Sequence, residues 1–222
     1  MDFSEPAEHA EIRAEVRSFA EERWGRTIGE RDRRGEYDPD VFPSLAELGL
    51  VGWCIPERWG GAGKDYLSLG VVCEELERVD GSLRIVVSVH LALNSLAILQ
   101  WAADDQLDRW LRPQARGSKL GCFGLTEPEA GTDAAALQTR AERRGGDWVV
   151  TGEKRWIGMA PVADHFLIFA KTDPDAGSRG ITAFLVDRVD AGEKLRTYEI
   201  EDKWGLRASP WGLRASPTGG IV

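Results

Sequence analysis

The sequence predicts an α+β chain of two domains, an all-helical one followed by a small β-rich one. Three observations carry this. Apolar residues recur at helical spacing from residue 8 to about residue 115. From Leu120 onward the pattern changes to short β-branched and aromatic runs parted by turns. The two kinds of segment are not interleaved, which argues against an alternating α/β sheet. The domains are read as 1–118 and 119–222.

In the first domain, Ile12, Val16, Phe19 and Ala20 give residues 8–23 one apolar face. Arg31, Arg33 and Arg34, interleaved with Glu30, Asp32 and Glu36, read as a solvated loop. Asp38-Pro39 opens a short helix with Phe42, Leu45 and Leu48 inward, stopped at Gly49. WGGAGK at Trp59–Lys64 invites comparison with a phosphate-binding loop. That motif needs glycine where Arg58 stands and Ser or Thr where Asp65 stands, so it is read as a turn before a helix capped by Asp65. The helix, 66–79, carries Leu69, Val72, Cys73, Leu76 and Val79 on one stripe and Glu74, Glu75, Glu77 and Arg78 outside. Residues 83–102 are apolar nearly all round, as in a central helix. The longest apolar run, 85–99, is interrupted by Ser88, His90, Asn94 and Ser95 and reads as too short to span a bilayer. Asp104 or Asp105 caps a last helix bearing Leu107, Trp110 and Leu111, ending near Pro113.

In the second domain the predicted strands are 120–125, 148–151, 155–157, 165–171, 181–187 and 194–201, with hairpin connections at Gly145-Gly146 and 174–180. A small antiparallel β-barrel or a sandwich is the expected closure. WGLRASP stands twice in tandem at 204–217. Two copies are too few for a repeat architecture, and seven is an odd number. If the second copy takes the first one's place in a strand, the extra segment must loop out or the downstream faces invert.

A net charge of −9 with no dominant basic patch excludes a nucleic-acid or acidic-membrane partner as the expectation. Three cysteines, Cys54, Cys73 and Cys122, lie among apolar neighbours without ligand spacing and read as free thiols. Only three histidines are present, too few to suggest a His-based metal centre. The N-terminal MDFSEPAEHAEI is acidic and lacks an apolar core, so no signal or transit peptide is expected and the expected location is cytoplasmic.

The chemistry-bearing stretch is CFGLTEPEAGTD at 122–133, echoed by KRWIGMAP at 154–161. A strand breaks at Thr126-Glu127-Pro128 into a turn with hydroxyl and backbone donors, and Trp156 offers a large aromatic face. The pair suggests a site for a planar cofactor, with a β-hairpin edge and a buried Trp as the plain alternative. These residues resemble the acyl-CoA dehydrogenase family of flavoproteins. The resemblance extends to GGAGKDYLSLGVVCEELERVDGSL upstream and to ITAFLV and EDKWGLRASP downstream, in the family's order. ELERVDGSLRIVVSVH and GLRASPTGGIV are most similar to the glutaryl-CoA dehydrogenase branch.

The resemblance implies FAD-dependent α,β-dehydrogenation of an acyl-CoA thioester, glutaryl-CoA or another short acyl-CoA. It implies an electron-transfer flavoprotein as acceptor and a homo-oligomer. Phe123, Leu125 and Thr126 are implied to meet the flavin ring, and Gly131 and Thr132 to lie along its ribityl and pyrophosphate side, with Thr132 also near CoA. Trp156, Ile157 and Gly158 are implied to flank the ring's other edge, and Arg84 with Ser88 to meet a distal carboxylate of the substrate, the plain alternative being that Arg84 caps a neighbouring helix end or pairs with Asp80. Two residues depart from the family: Thr132 stands for its usual Ser, and Gly158 for a Thr whose hydroxyl faces the flavin. In the family the catalytic base is a Glu of a C-terminal helical bundle, expected beyond Val222, so the chain alone is expected not to turn over. Glu127 and Glu129 are read as solvated turn carboxylates. The alternatives are a non-catalytic flavin/acyl-CoA half-site or interaction fragment, and an acyl-CoA oxidase or flavin monooxygenase relative.

Overall fold

The computed structural model describes residues 4–215, which divide into two compact units. The first runs through Ser118 and takes back the segment Lys203–Ser209; the second comprises Lys119–Asp202 and continues from Pro210.

The first unit is helical. Helix α1 (Ala7–Trp24) buries Ile12, Val16, Ala20 and Trp24, each four residues from the last, and α4 (Tyr66–Val79) buries Leu69, Val72 and Leu76. Between them lie α2 (Ile28–Arg34) and α3 (Val41–Glu47). Arg31 is therefore helical, not in a loop, and its side chain is largely buried, 3.5 Å from Asp80. Asp65 caps α4 as expected, accepting from the N–H groups of Leu67 (2.8 Å) and Ser68 (2.9 Å). Glu75 corrects the expected outer face of α4. It is fully buried, and Arg13 and Arg17, one turn apart on α1, each bond its carboxylate. A glutamate can turn inward because two cations meet both its oxygens there.

WGGAGK is a turn whose N–H groups are consumed internally. Ala62, Gly63 and Lys64 donate to the carbonyls of Gly52, Ile55 and Trp53. A Cβ on Gly61 would lie 2.2 Å from the Ile55 oxygen, so the glycine serves close packing and leaves no phosphate cradle.

The central helix α5 (Gly81–Trp101) lies within two residues of the expected 83–102; with 21 residues, against the 85–99 run read as too short, it is long and apolar enough to cross a membrane by length and composition. Its polar residues argue for a core helix instead. His90, Asn94 and Ser95 are fully buried, within a π-helical stretch Ser88–Ser95. His90 Nε2–H donates to the Gln114 carbonyl (3.2 Å), and the Ser95 hydroxyl lies 2.7 Å from Gln114 Oε1. The last helix, α6 (104–115), is capped differently from the expectation. Ala103 is its N-cap, with its N–H bonded to Gln106 Oε1 (3.0 Å). It runs on past Pro113 because a π-helical turn, Leu107–Leu111, precedes the proline, which lacks an N–H to place.

The second unit holds β1 (Gly121–Gly124), β2 (Arg140–Arg144), β3 (Asp147–Thr151), β4 (Lys154–Gly158), β5 (His165–Lys171), β6 (Ile181–Asp187), β7 (Leu195–Arg196) and β8 (Trp211–Ala215). The expected antiparallel barrel is not what forms among the described residues. One mixed sheet centres on β5, parallel to β1 and β2 and antiparallel to β6, with β3 beyond β2. A separate sheet has β8 between β4 and β7. HFLIFAK, with FLIFA as its apolar centre and His165–Ile168 all buried, accounts for the interior place of β5 in that sheet. The β2–β3 and β5–β6 hairpins turn at Gly145 and at Pro174–Gly180 as expected.

The two heptads take different structures. The first forms a loop counted with the helical unit, where Arg207 donates to the carbonyls of Asp32 (3.0 Å) and Arg33 (3.3 Å) at the end of α2. The second supplies β8; its last residues, like the rest of the chain, lie outside the described residues. Ile200 N–H donates to the Trp211 carbonyl (2.8 Å), so the first copy is an excursion whose ends meet.

Candidate functional site

The site is built where β1 ends beside the start of β4. β1 stops at Gly124, and the chain turns tightly, with Glu127 and Ala130 bonding each other's backbone (2.9 and 3.2 Å). Arg155 N–H donates to the Thr126 carbonyl (2.8 Å), so the two motif stretches are bonded together.

Strand β4 does not alternate. A regular pleat would put Lys154 and Trp156 on one face and Arg155 and Ile157 on the other. Instead Lys154 and Ile157 are buried while Arg155 and Trp156 are exposed. The β4–β8 register shifts between Lys154 and Gly158, and Trp156 has a φ of +61°. Met159 follows with a φ of +68°, fully buried, its N–H held by the Pro210 carbonyl (2.8 Å). Left-handed backbone at two bulky residues is strained, and such strain collects at functional sites. Its product here is an indole half in solvent, with the Arg155 guanidinium 5.2 Å from the ring centroid.

Around it, Phe123, Leu125 and Thr126 are half-buried at the strand end, and the Phe123 ring stacks obliquely on Phe169 at 5.0 Å. Gly131 and Thr132 are exposed on the following loop, and a Cβ at Gly131 would meet nothing within 4 Å. Ile157 and Gly158 are buried. These eight positions all belong to the second unit. Arg84 and Ser88 belong to the first, where Arg84 Nη1–H donates to Ser88 Oγ (3.2 Å) and Nε–H to Glu77 (2.5 Å).

Glu127 and Lys154 were not predicted as part of the site, and Glu127 is no solvated turn carboxylate. Their side chains are 4% and 1% exposed and meet at 2.8 Å. Glu127 also accepts from the N–H of Gln138 (2.5 Å) and of Thr139 (3.0 Å) and from the Thr139 hydroxyl. Burial pushes the Glu127 carboxyl up, but the Lys154 ammonium and the Thr139 and Gln138 donors outweigh it and hold the carboxyl below its usual value. Burial lowers the Lys154 ammonium, with Glu127 opposing. The only sequence signal was a lysine inside an otherwise uncharged β4 face, and the broken alternation hid it. Glu129 is exposed.

A half-exposed aromatic face beside strand-end backbone and two hydroxyl-bearing residues suits a flat, partly polar ring system. The family model for the acyl-CoA dehydrogenase N-terminal domain matches residues 6–118, and that for the middle domain matches 122–213. A short-chain-specific acyl-CoA dehydrogenase of Clostridium acetobutylicum is 36% identical over 209 residues, 94% of this chain and 55% of its own. The structure of butyryl-CoA dehydrogenase from Megasphaera elsdenii is similar with a TM-score of 0.92 at 33% identity, over 100% of this chain and 58% of that one. A glutaryl-CoA dehydrogenase from Mycobacterium smegmatis in complex with FADH2 is similar with a TM-score of 0.87 at 31% identity, over 98% and 56%. The chain thus spans a little over half the length of these relatives. It belongs to the acyl-CoA dehydrogenase family.

Proposed function

We propose that this chain forms the FAD-contacting and acyl-CoA-contacting part of a dehydrogenase that desaturates a short acyl-CoA thioester. The observation that carries the reading is Trp156, whose strained backbone turns half an indole away from the fold. Phe123, Leu125, Thr126 and Trp156 would hold the ring system, with Ile157 and Gly158 contributing backbone only. Gly131 and Thr132, on the exposed loop, would serve the polar chain of the cofactor, and Thr132 the CoA moiety. FAD, when bound, supplies the two-electron acceptor for α,β-desaturation. The protein's own share is to orient the thioester and exclude water. Gly158 brings no hydroxyl to the site, so control of the flavin there rests on backbone.

Glu127 is not the group that takes the α-proton. Its carboxylate already accepts from Lys154, Thr139 and Gln138. That step is proposed to fall to the helical C-terminal domain that the family resemblance implies. An electron-transfer flavoprotein is the proposed acceptor and a homo-oligomer the proposed assembly.

The test is the absorption spectrum of the full chain after incubation with FAD and desalting. A retained flavin band, weakened by Trp156→Ala by up to about tenfold in affinity, is expected from the loss of aromatic stacking. Absence of any retained flavin, or a Trp156→Ala variant that binds as well as the parent, would remove the site from these residues.

A further inference from the structure

The Glu127–Lys154 pair takes no part in the proposed chemistry, yet it is bonded to the backbone from which the candidate site is built. Lys154 Nζ–H donates to Glu127 Oε1 (2.8 Å) and also to the Leu125 carbonyl (3.0 Å). The next residue, Arg155, donates its N–H to the Thr126 carbonyl (2.8 Å). One lysine and its neighbour therefore grip both carbonyls of Leu125-Thr126. Glu127 is fixed in turn by Gln138 and Thr139, on the approach to β2. Three chain segments meet on one carboxylate: the end of β1, the start of β4 and the residues leading into β2. Stability alone does not account for a buried ion pair, because apolar or neutral replacements of similar size are often as stable.

We infer that Glu127 and Lys154 are a positioning pair, which fixes the Leu125-Thr126 backbone against the strand that carries Trp156 and so sets the shape of the cofactor site. The inference rests on the FAD reading for its functional meaning, but its structural half can be measured without cofactor.

The experiment compares Glu127→Gln, Lys154→Met and the double variant in the full chain. Each single variant strands a buried polar partner and is expected to lower the melting temperature. The double variant removes both charges and is expected to melt near the parent, yet it lacks the ammonium that holds the Leu125 carbonyl. It is expected to bind FAD at least about tenfold more weakly, with a shifted flavin band, since about 1.4 kcal/mol of lost positioning corresponds to that factor. Amide exchange at Arg155, followed with no FAD present, is expected to accelerate. A double variant that recovers both the melt and the parent's FAD affinity and Arg155 exchange would reduce the pair to a structural role and overturn the inference. If the parent itself retains no FAD, the cofactor reading falls, and the Arg155 exchange still decides whether the pair holds the strand end. Should the double variant fail to fold, Thr139→Val takes its place. It removes one donor to Glu127 and leaves both charges, so weaker FAD binding with faster Arg155 exchange supports the inference, and no change in either refutes it.

Discussion

At the scale of single residues, two side chains divide the problem of recognition. Trp156 costs the fold about 1–2 kcal/mol through its left-handed backbone and recovers little by burial, being half exposed. A residue held at such a cost has its orientation chosen for it by its surroundings. Arg84 is the opposite case. Its guanidinium is already paired with Glu77 and bonded to Ser88, and the side chain is 27% exposed. A second reading of the substrate follows, in which this edge of α5 takes a carboxylate at the far end of the acyl chain. An incoming carboxylate has to compete with Glu77, so the gain is smaller than for a bare arginine. Arg84→Ala is expected to weaken binding of glutaryl-CoA by about tenfold, one charge-assisted hydrogen bond, and to leave butyryl-CoA unchanged. Calorimetric titration of both thioesters measures the difference. Equal losses for the two would dismiss the carboxylate reading.

At the scale of elements, α1 and α4 are joined by a buried charge as well as by their apolar stripes. Arg17 and Arg13 hold the Glu75 carboxyl below its usual value of 4.5, with Arg17 dominant and burial opposing. Since the folded value lies below the unfolded one, the pair's stabilisation is complete above the unfolded pKa and drains away as pH falls through the folded one. Glu75→Gln is therefore expected to flatten the acid side of the stability curve. Glu75→Ala is expected to cost toward the low end of about 3–5 kcal/mol, because both arginines stay partly in water. Thermal melts from neutral pH into the acid range check both. The same glutamate marks how far elements are legible in a sequence. The α1 and α4 stripes, the Asp65 cap and the two hairpins followed from period and turn chemistry, which act locally. Glu75 and Lys154 did not, because a buried charge is explained only by a partner far away in the chain. Strand β2, RAERR, was missed for a related reason: only Ala141 of its five residues is buried, so it carries no alternating signal. The barrel expectation failed because pairing partners are a long-range choice. The apolar run of β5 announces an interior strand but does not say that β1 will lie parallel to it. At the site, the aromatic and hydroxyl residues were visible as types, whereas the left-handed turn at Trp156 was not.

At the scale of the molecule, the two units are each held by their own network, and the chain passes from the second back to the first at Lys203–Ser209 before returning. That excursion is the first WGLRASP, and the strand that follows is the second. The two copies are in different surroundings: Trp204 is fully exposed and Trp211 only partly so. Because the copies are identical, a deletion of 204–210 and a deletion of 211–217 yield one and the same polypeptide. The single remaining heptad then has to choose between the carbonyls at the end of α2 and the place beside β4. The strand is expected to win, since leaving β4 and β7 with open edges forfeits more backbone bonds than the two exposed ones made by Arg207. Acrylamide quenching reads the choice, as loss of the most accessible indole if the strand wins and its persistence if the loop does. Two lesions that a genetic map would keep apart are thus a single experiment for the protein, and the molecule, not the cut site, decides which copy was lost.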